Sequence, residues 1–510
     1  MRKSSAVLFL IVSLTVSVNT QAEEASDWYQ AGQQALKDAR NVIPNTRRAK
    51  NIILFVGDGM GVSTVTAARI LQGQARGENG SGDGEGNLLA FEKLPYVAMS
   101  KTYSANQQTP DSAPTMTAMV TGVKTNDGVL SVNQAVESGD ADNRNVQRNS
   151  LTTILELAEQ HGLATGVVTT TRITHATPAA TYAHTSMRDW EADTNVPPGS
   201  DVKDIAAQLI DNFAGDKAGS GPEVVLGGGR TKFLPLGISD PEYPEKHGER
   251  KDGRNLVEEF SQKFNASYVW NRQQFDAIDP LKTHRLIGLF EPSHMQYEHD
   301  RPRDKSGEPS LAEMTSKAID ILKNNRKGYF LMIEGGRIDH AHHAGNAFRA
   351  LTDTIAFSDA VQAALGKVDL NDTLVIVTAD HSHTFTISGY PQRGNPILGK
   401  VVIAGKPGYA LADDGKPYTT LSYANGKGNH TALSNDEVAL QPARPGRDND
   451  VTDVDTEDPD YHQHALVPLA AETHAAEDVE IFAGGPHAYL FHGVQQQNYI
   501  FHVMKDAFGF

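Results

Sequence analysis

NIILFVGDGMG, residues 51–61, sets the reading of the whole chain. A short apolar run from Asn51 to Val56 leads into Asp58, with glycines on both sides that let backbone and ligand approach closely. Similar runs recur as ATGVVTTT, PEVVLGGG, HRLIGLFE, GYFLMIEGG, TLVIVTAD and DVEIFAGG, and several end directly in Asp, Glu or Gly. Helical patterns lie between them. This is the rhythm of an α/β fold, with a large, mostly parallel central sheet covered by helices on both faces. In open α/β sheets ligands bind beyond the carboxyl ends of the strands, so polar residues after these runs converge from distant positions.

The chain has 510 residues, and large doubly wound enzymes grow by insertion without dividing, so one elaborated domain is expected. Arg2 and Lys3, an apolar run from Ala6 to Val18 and the small residues around Ala22 read as a signal peptide over 1–22, leaving a mature chain of 23–510. That run is shorter than a membrane anchor needs and carries Ser13, Thr15 and Ser17. The protein is therefore expected to be exported, periplasmic or secreted, with no membrane span in the mature chain. An amphipathic segment follows at Trp28 to Arg40. The strand and helix rhythm breaks over 388–466, which is rich in Gly, Pro, Asn and Asp and reads as a surface insertion returning to the core at Ala475. A second loop-rich region spans 240–309.

With 63 acidic against 46 basic residues, the net charge of −17 argues against a nucleic-acid-binding face. The absence of cysteine excludes disulfides, thiolate ligands and a cysteine nucleophile, so any metal must be held by His, Asp, Glu and hydroxyls.

Taken singly, the motifs leave alternatives open. Asp58 fits a metal ligand or an ordinary Asp-Gly turn. In TPDSAPTMTAMVTG, Ser112 opens a run suited to a helix, where backbone N–H groups favour a phosphate or an alkoxide; from this segment alone an N-cap built on Ser112 or Asp111 is the favoured reading. In MIEGGRIDHAHHAG, Glu334 ends a strand, and Asp339 and His343 share one face of the following helix at zinc-ligand spacing, whereas His342 points elsewhere. Asp380 and His381 stand together at another strand end in TLVIVTADHSHTF, with His383 as a further candidate. Thr177 offers a hydroxyl, Arg188 a guanidinium that grips two phosphate oxygens at once, and His474 in ETHAAEDVEIF is by itself a lone histidine.

Together, and in this order, VGDGMG, PDSAP, THATPAATYAH with Arg188, IEGGRIDHAHH, TADHSH and ETHAAEDV resemble the alkaline phosphatase family throughout the mature chain. The likeness is closest to the animal branch, because His175 and His340 stand where some bacterial members have Asp and Lys. The resemblance implies two Zn2+, one held by Asp339, His343 and His474 and the other by Asp58, Asp380, His381 and the Ser112 oxygen. It further implies one Mg2+ at Asp58, Thr177 and Glu334, with His175 near that site, Ser112 as nucleophile and Arg188 as phosphate clamp. DPEYP, LFEP and EPSLAEMT match an additional Ca2+ site of animal-type members, which implies Glu242, the Phe290 carbonyl, Glu291 and Glu308 as ligands, with Glu308 where Asp is expected. Substrates would be small phosphate monoesters, and the assembly a homodimer. A sulfatase is disfavoured because Met116 occupies a place where its motif requires Arg. A phosphodiesterase would use the same metals, and an exported binding protein would not need Ser112.

Overall fold

The computed structural model describes residues 24–77, 84–213, 219–444, 446–447 and 450–510. The expected signal peptide lies outside them. The described residues form β1 (Asn51–Gly57), β2 (Tyr96–Lys101), β3 (Ala164–Arg172), β4 (Val224–Gly228), β5 (Ser267–Val269), β6 (Leu286–Leu289), β7 (Tyr329–Gly335), β8 (Thr373–Ala379), β9 (Ser382–His383), β10 (Phe385–Ile387), β11 (Leu421–Gly426), β12 (Ala465–Pro468), β13 (His474–Ala475), β14 (Val479–Gly484) and β15 (Val494–Gln496).

Ten of them make one sheet in the order β15-β2-β14-β8-β1-β7-β3-β4-β6-β5. All seven apolar runs contribute strands to it. β2, β5 and β15 are additions that the sequence pattern did not signal. β14 runs antiparallel to both β8 and β2, the one reversed strand in the sheet.

β1 is buried along its whole length, as a strand covered on both faces must be. Its alternate residues feed two separate cores. Ile52, Leu54 and Val56 pack with Met116, Ile154 and Ile500, while Ile53 and Phe55 pack with Val65, Met314, Leu351 and Phe357. The first face is closed by helices Ser112–Thr121, Ile154–Gln160 and Tyr499–Phe508, the second by Val62–Arg76, Leu311–Leu322 and Ala347–Leu365. Phe55 meets Phe357 edge to face at 5.8 Å and 85°, so Phe357→Ala costs about 3–5 kcal/mol in lost burial and cavity.

Segment 388–466 contains β11, the start of β12 and a short helix, Asn435–Ala439; β11 pairs with β10 and β12 in a separate three-stranded sheet. The chain then returns through β13, which pairs with β9. Helix Ala25–Arg40 buries none of its residues, and Trp28, Tyr29 and Leu36 on it are exposed. Among the described residues, no helix is long and apolar enough to cross a membrane.

Candidate active site

Register alone brings the first candidate ligands together. β1 lies between β8 and β7, with Gly57 opposite both Ala379 and Gly335 and Val56 opposite Glu334. Asp58, Glu334 and Asp380 therefore emerge side by side at the carboxyl edge of the sheet. The reversal of β14 does the rest: residues that precede an antiparallel strand arrive at the edge where parallel strands end, which is how His474 reaches this place. Gly59 is held at φ +67°, and a Cβ there would sit 2.2 Å from His383 Nε2, so only glycine fits.

Asp339 and His343 share a face of helix Arg337–His343, whose first amides, Gly336 and Arg337 N–H, donate to Thr170 Oγ1 at 3.0 and 3.2 Å. Asp339 Oδ1, His343 Nε2 and His474 Nε2 then form a triangle with edges of 3.3, 3.2 and 3.1 Å. The remaining ring nitrogens are already engaged. His343 Nδ1 meets the Glu472 carbonyl at 2.6 Å, and His474 Nδ1 meets the Pro110 carbonyl at 2.8 Å. Ligands about 2.0–2.2 Å from a tetrahedral zinc stand about 3.3–3.6 Å apart, so this triangle is close to one face of such a tetrahedron, at its tight end.

A second group has the same dimensions. His381 Nε2 lies 3.4 Å from Asp58 Oδ1 and 3.2 Å from Asp380 Oδ2. Ser112 Oγ closes it, 3.4 Å from Asp58 Oδ1 and 3.3 Å from His381 Nε2. Behind it, Asp58 Oδ2, Thr177 Oγ1 and Glu334 Oε1 are buried oxygens without hydrogen-bond partners, and Asp380 Oδ2 is another. Orphaned buried oxygens in this number are costly unless a cation takes them up. Asp58, His175 and Glu334 offer ligand atoms within 4.8 Å of one another.

Electrostatics agree with the geometry. Burial, then the charges of Asp380, Asp339 and Glu334, push the Asp58 carboxyl well above its usual range. Burial raises Glu334 to about 7 and Asp380 to about 6. Burial also acts upward on Asp339, but the surrounding imidazoles of His343, His383 and His474 outweigh it and hold that carboxyl well below the ordinary range. Burial keeps His381, His175 and His340 neutral at physiological pH, as metal binding or a dry wall requires. Four carboxylates crowd a dry site, which calls for compensating positive charge.

Ser112 begins helix Ser112–Thr121, and Asp111 is its N-cap, accepting from Ser112 N–H at 2.8 Å. Of the two sequence readings of this segment, the Asp111 cap is the one this contact forms. Arg188 Nη1 donates to Asp111, and Nη2 lies 2.9 Å from His175 Nε2, which places the guanidinium beside the serine. One wall is lined by three imidazoles, with ring centres 5.4 Å apart for His175 and His294, 5.6 Å for His175 and His340, and 4.2 Å for His294 and His340.

In the 240–309 region, Glu242, Glu291 and Asp304 bring carboxylate oxygens within 4.8 Å of one another. Glu308 is buried beside them with Oε2 unpartnered, and burial and the charges of Glu291 and Asp304 raise its carboxyl well above the usual range. Phe290 is buried at the end of β6. Asp304 was not found from sequence, nor were His294 and Glu472. Asp304 lies in a charged loop indistinguishable from a solvated one, and Glu472 would have been found only from its place two residues before His474. His342 is occupied elsewhere, by Thr64 Oγ1 at 3.0 Å and Tyr423 OH at 2.8 Å, in accord with its orientation away from the site.

Residues 49–510 match the family model for alkaline phosphatase. The tissue-nonspecific isozyme of alkaline phosphatase from Gallus gallus is 43% identical over 516 residues, covering 98% of this chain and 93% of that protein. An alkaline phosphatase from Gadus morhua is 43% identical over 498 residues, covering 96% and 98%. Among solved structures, Thermus thermophilus alkaline phosphatase aligns with a TM-score of 0.64 at 23% identity, covering 92% of this chain and 93% of that one. The enzyme from the Antarctic bacterium TAB5 aligns with a TM-score of 0.60 at 21% identity, covering 91% and 98%. The chain belongs to the alkaline phosphatase family, metal-dependent enzymes that hydrolyse phosphate monoesters through a phosphoserine.

Proposed function

We propose that Ser112 is the nucleophile of this phosphomonoesterase, set among two zinc ions and one magnesium ion. Asp339, His343 and His474 would hold one zinc, and Asp58, Asp380, His381 and Ser112 Oγ the other. Asp58, Thr177 and Glu334 would hold magnesium, with His175 and His340 beside it. Three divalent ions bring +6 against −4 from Asp58, Glu334, Asp339 and Asp380. Bound there, they act as Lewis acids on phosphoryl and leaving oxygens and make both serine and water acidic enough to attack.

The residues of the chain then divide the work. Arg188 orients a phosphate dianion by two parallel hydrogen bonds. Ser112 Oγ, as alkoxide, forms a bond to phosphorus while the ester oxygen departs in line, leaving a phosphoserine. Water attacks from the vacated side, the Ser112 O–P bond breaks, and inorganic phosphate leaves. Arg188 faces the charge that builds on phosphorus oxygens. The organic group is gripped by none of these residues, which supports a broad range of monoesters.

The observation that carries this reading is the placement of Ser112 Oγ within 3.4 Å of both Asp58 and His381. A binding protein has no use for a hydroxyl there. Release of p-nitrophenol from its phosphate monoester by chelator-stripped protein resupplied with zinc and magnesium, beside bis-p-nitrophenyl phosphate, tests it. Metal-restored activity preferring the monoester is expected; preference for the diester would overturn it.

Three further elements belong to the same reading. A calcium ion is assigned to Glu242, Glu291 and Glu308, with the Phe290 carbonyl and with Asp304 added by its proximity. Export rests on the sequence of residues 1–22. A homodimer is supported by the Ala25–Arg40 helix, which buries none of its residues in the monomer, and segment 388–466 is a second contact candidate.

A further inference from the structure

Glu472 is 1% exposed, and both of its carboxylate oxygens are engaged. Oε2 lies 2.6 Å from His383 Nδ1, and Oε1 accepts from Thr384 N–H and Thr384 Oγ1, both at 2.7 Å. His383 passes this hold onward, its Nε2 standing 2.9 Å from Asp339 Oδ1. The backbone of the same residue ties down a second candidate ligand. Its N–H donates to the His343 carbonyl at 3.0 Å, and its carbonyl meets His343 Nδ1 at 2.6 Å. Two residues later the chain delivers His474. One residue thus joins the β9 segment that carries His383 and Thr384 to helix Arg337–His343 and the approach to β14, the two segments that supply the triangle of Asp339, His343 and His474. Glu472 has no free oxygen with which to bind a metal itself.

We infer that Glu472 is a positioning residue for the first zinc site: through His383 it aims Asp339, and through its own backbone it fixes His343, so that the three ligand atoms stand at zinc spacing before the ion arrives. This rests on the zinc assignment made above. Partners of this kind behind metal ligands typically change affinity by about 10- to 100-fold when removed. In Glu472→Gln one carboxylate oxygen becomes an amide donor, so either His383 or Thr384 loses its acceptor while the volume is kept. The backbone contacts remain.

The test is zinc affinity of the full-length protein, by equilibrium competition with a chelator, for wild type, Glu472→Gln and Thr384→Val. Thr384→Val removes only one of the hydrogen bonds that hold the carboxylate. In Glu472→Gln the expected result is a loss of about 10- to 100-fold at one of two zinc sites, with the second site and magnesium content unchanged. Thr384→Val shifts the same site in the same direction by less. A residue that merely supports the fold would weaken all sites together or none. Folded Glu472→Gln with wild-type affinity at both sites overturns the inference, and so does uniform weakening. Should Glu472→Gln fail to fold, wild-type zinc affinity in Thr384→Val overturns it. Wild-type protein that binds no zinc defeats instead the zinc assignment beneath it.

Discussion

Replacement of Arg188 by lysine keeps the charge and removes the fork. The guanidinium reaches Asp111 with Nη1 and His175 with Nη2, 2.9 Å away, so it is braced on both sides beside Ser112. An ammonium in its place can meet one phosphate oxygen but cannot make two parallel bonds. One lost hydrogen bond to a charged group is worth about 1.5–3 kcal/mol, which corresponds to about 10- to 150-fold. Arg188→Ala, losing both, should cost about 3–6 kcal/mol if the two contribute alike. The assay is kcat/KM for p-nitrophenyl phosphate on protein of equal zinc and magnesium content, with inhibition by inorganic phosphate measured alongside. Both quantities should weaken together. The diester has two free oxygens against the monoester's three, so with one of them taken up at the metal site only one would remain for the fork, and it should lose less than the monoester. Arg188→Ala with monoester kcat/KM within about threefold of wild type, or equal losses on monoester and diester, would refute the clamp.

Other expectations follow from the same site. Ser112→Ala should retain zinc and magnesium by elemental analysis while turnover falls by about 10^4-fold or more, the order seen when a covalent nucleophile is deleted. In chelator-stripped protein, Asp380 at about 6 and Glu334 at about 7 stay protonated in the fold after their unfolded counterparts have ionised. These groups therefore contribute stability below about pH 4 that is lost as pH rises to about 7, at about 1.4 kcal/mol per pH unit for each group over its window; urea unfolding from pH 5 to 8 should show the loss, and zinc with magnesium should remove it. His175→Asp, which adds a carboxylate beside Asp58 and Glu334, should retain magnesium through dialysis better than wild type; equal magnesium content in the two proteins would count against that placement. Calcium at about 100 times its Kd should stabilise the metal-loaded protein by about 2.7 kcal/mol in thermal unfolding, and Glu291→Gln should abolish the gain.

Much of this architecture was legible because the strands of a doubly wound sheet carry their ligands at one end. An apolar run followed by Asp or Glu announces both the strand and the site, as β1, β7 and β8 do with Asp58, Glu334 and Asp380. The i, i+4 spacing of Asp339 and His343 was legible for a similar reason, since helix geometry fixes the shared face. His474 was not legible from its surroundings, because its arrival depends on the reversal of β14, and strand direction is a tertiary property. It was placed only by resemblance to known members of the family. Glu472 and His294 escaped because they touch the proposed ligands and wall without following a strand end. β2, β5 and β15 were missed too: β5 and β15 span three residues each, and β2, YVAMSK, is only partly buried, so none shows the run of apolar residues that marks a strand covered on both faces.

The central claim is that Ser112 carries the phosphoryl group. Acid quenching of the zinc- and magnesium-loaded enzyme during turnover of a phosphate monoester, followed by mass analysis of the peptide containing Ser112, tests it directly. A single phosphoryl group on Ser112, absent from Ser112→Ala, is the predicted result; an active enzyme whose Ser112 peptide is never phosphorylated, or a Ser112→Ala protein that turns over at the wild-type rate, would contradict it.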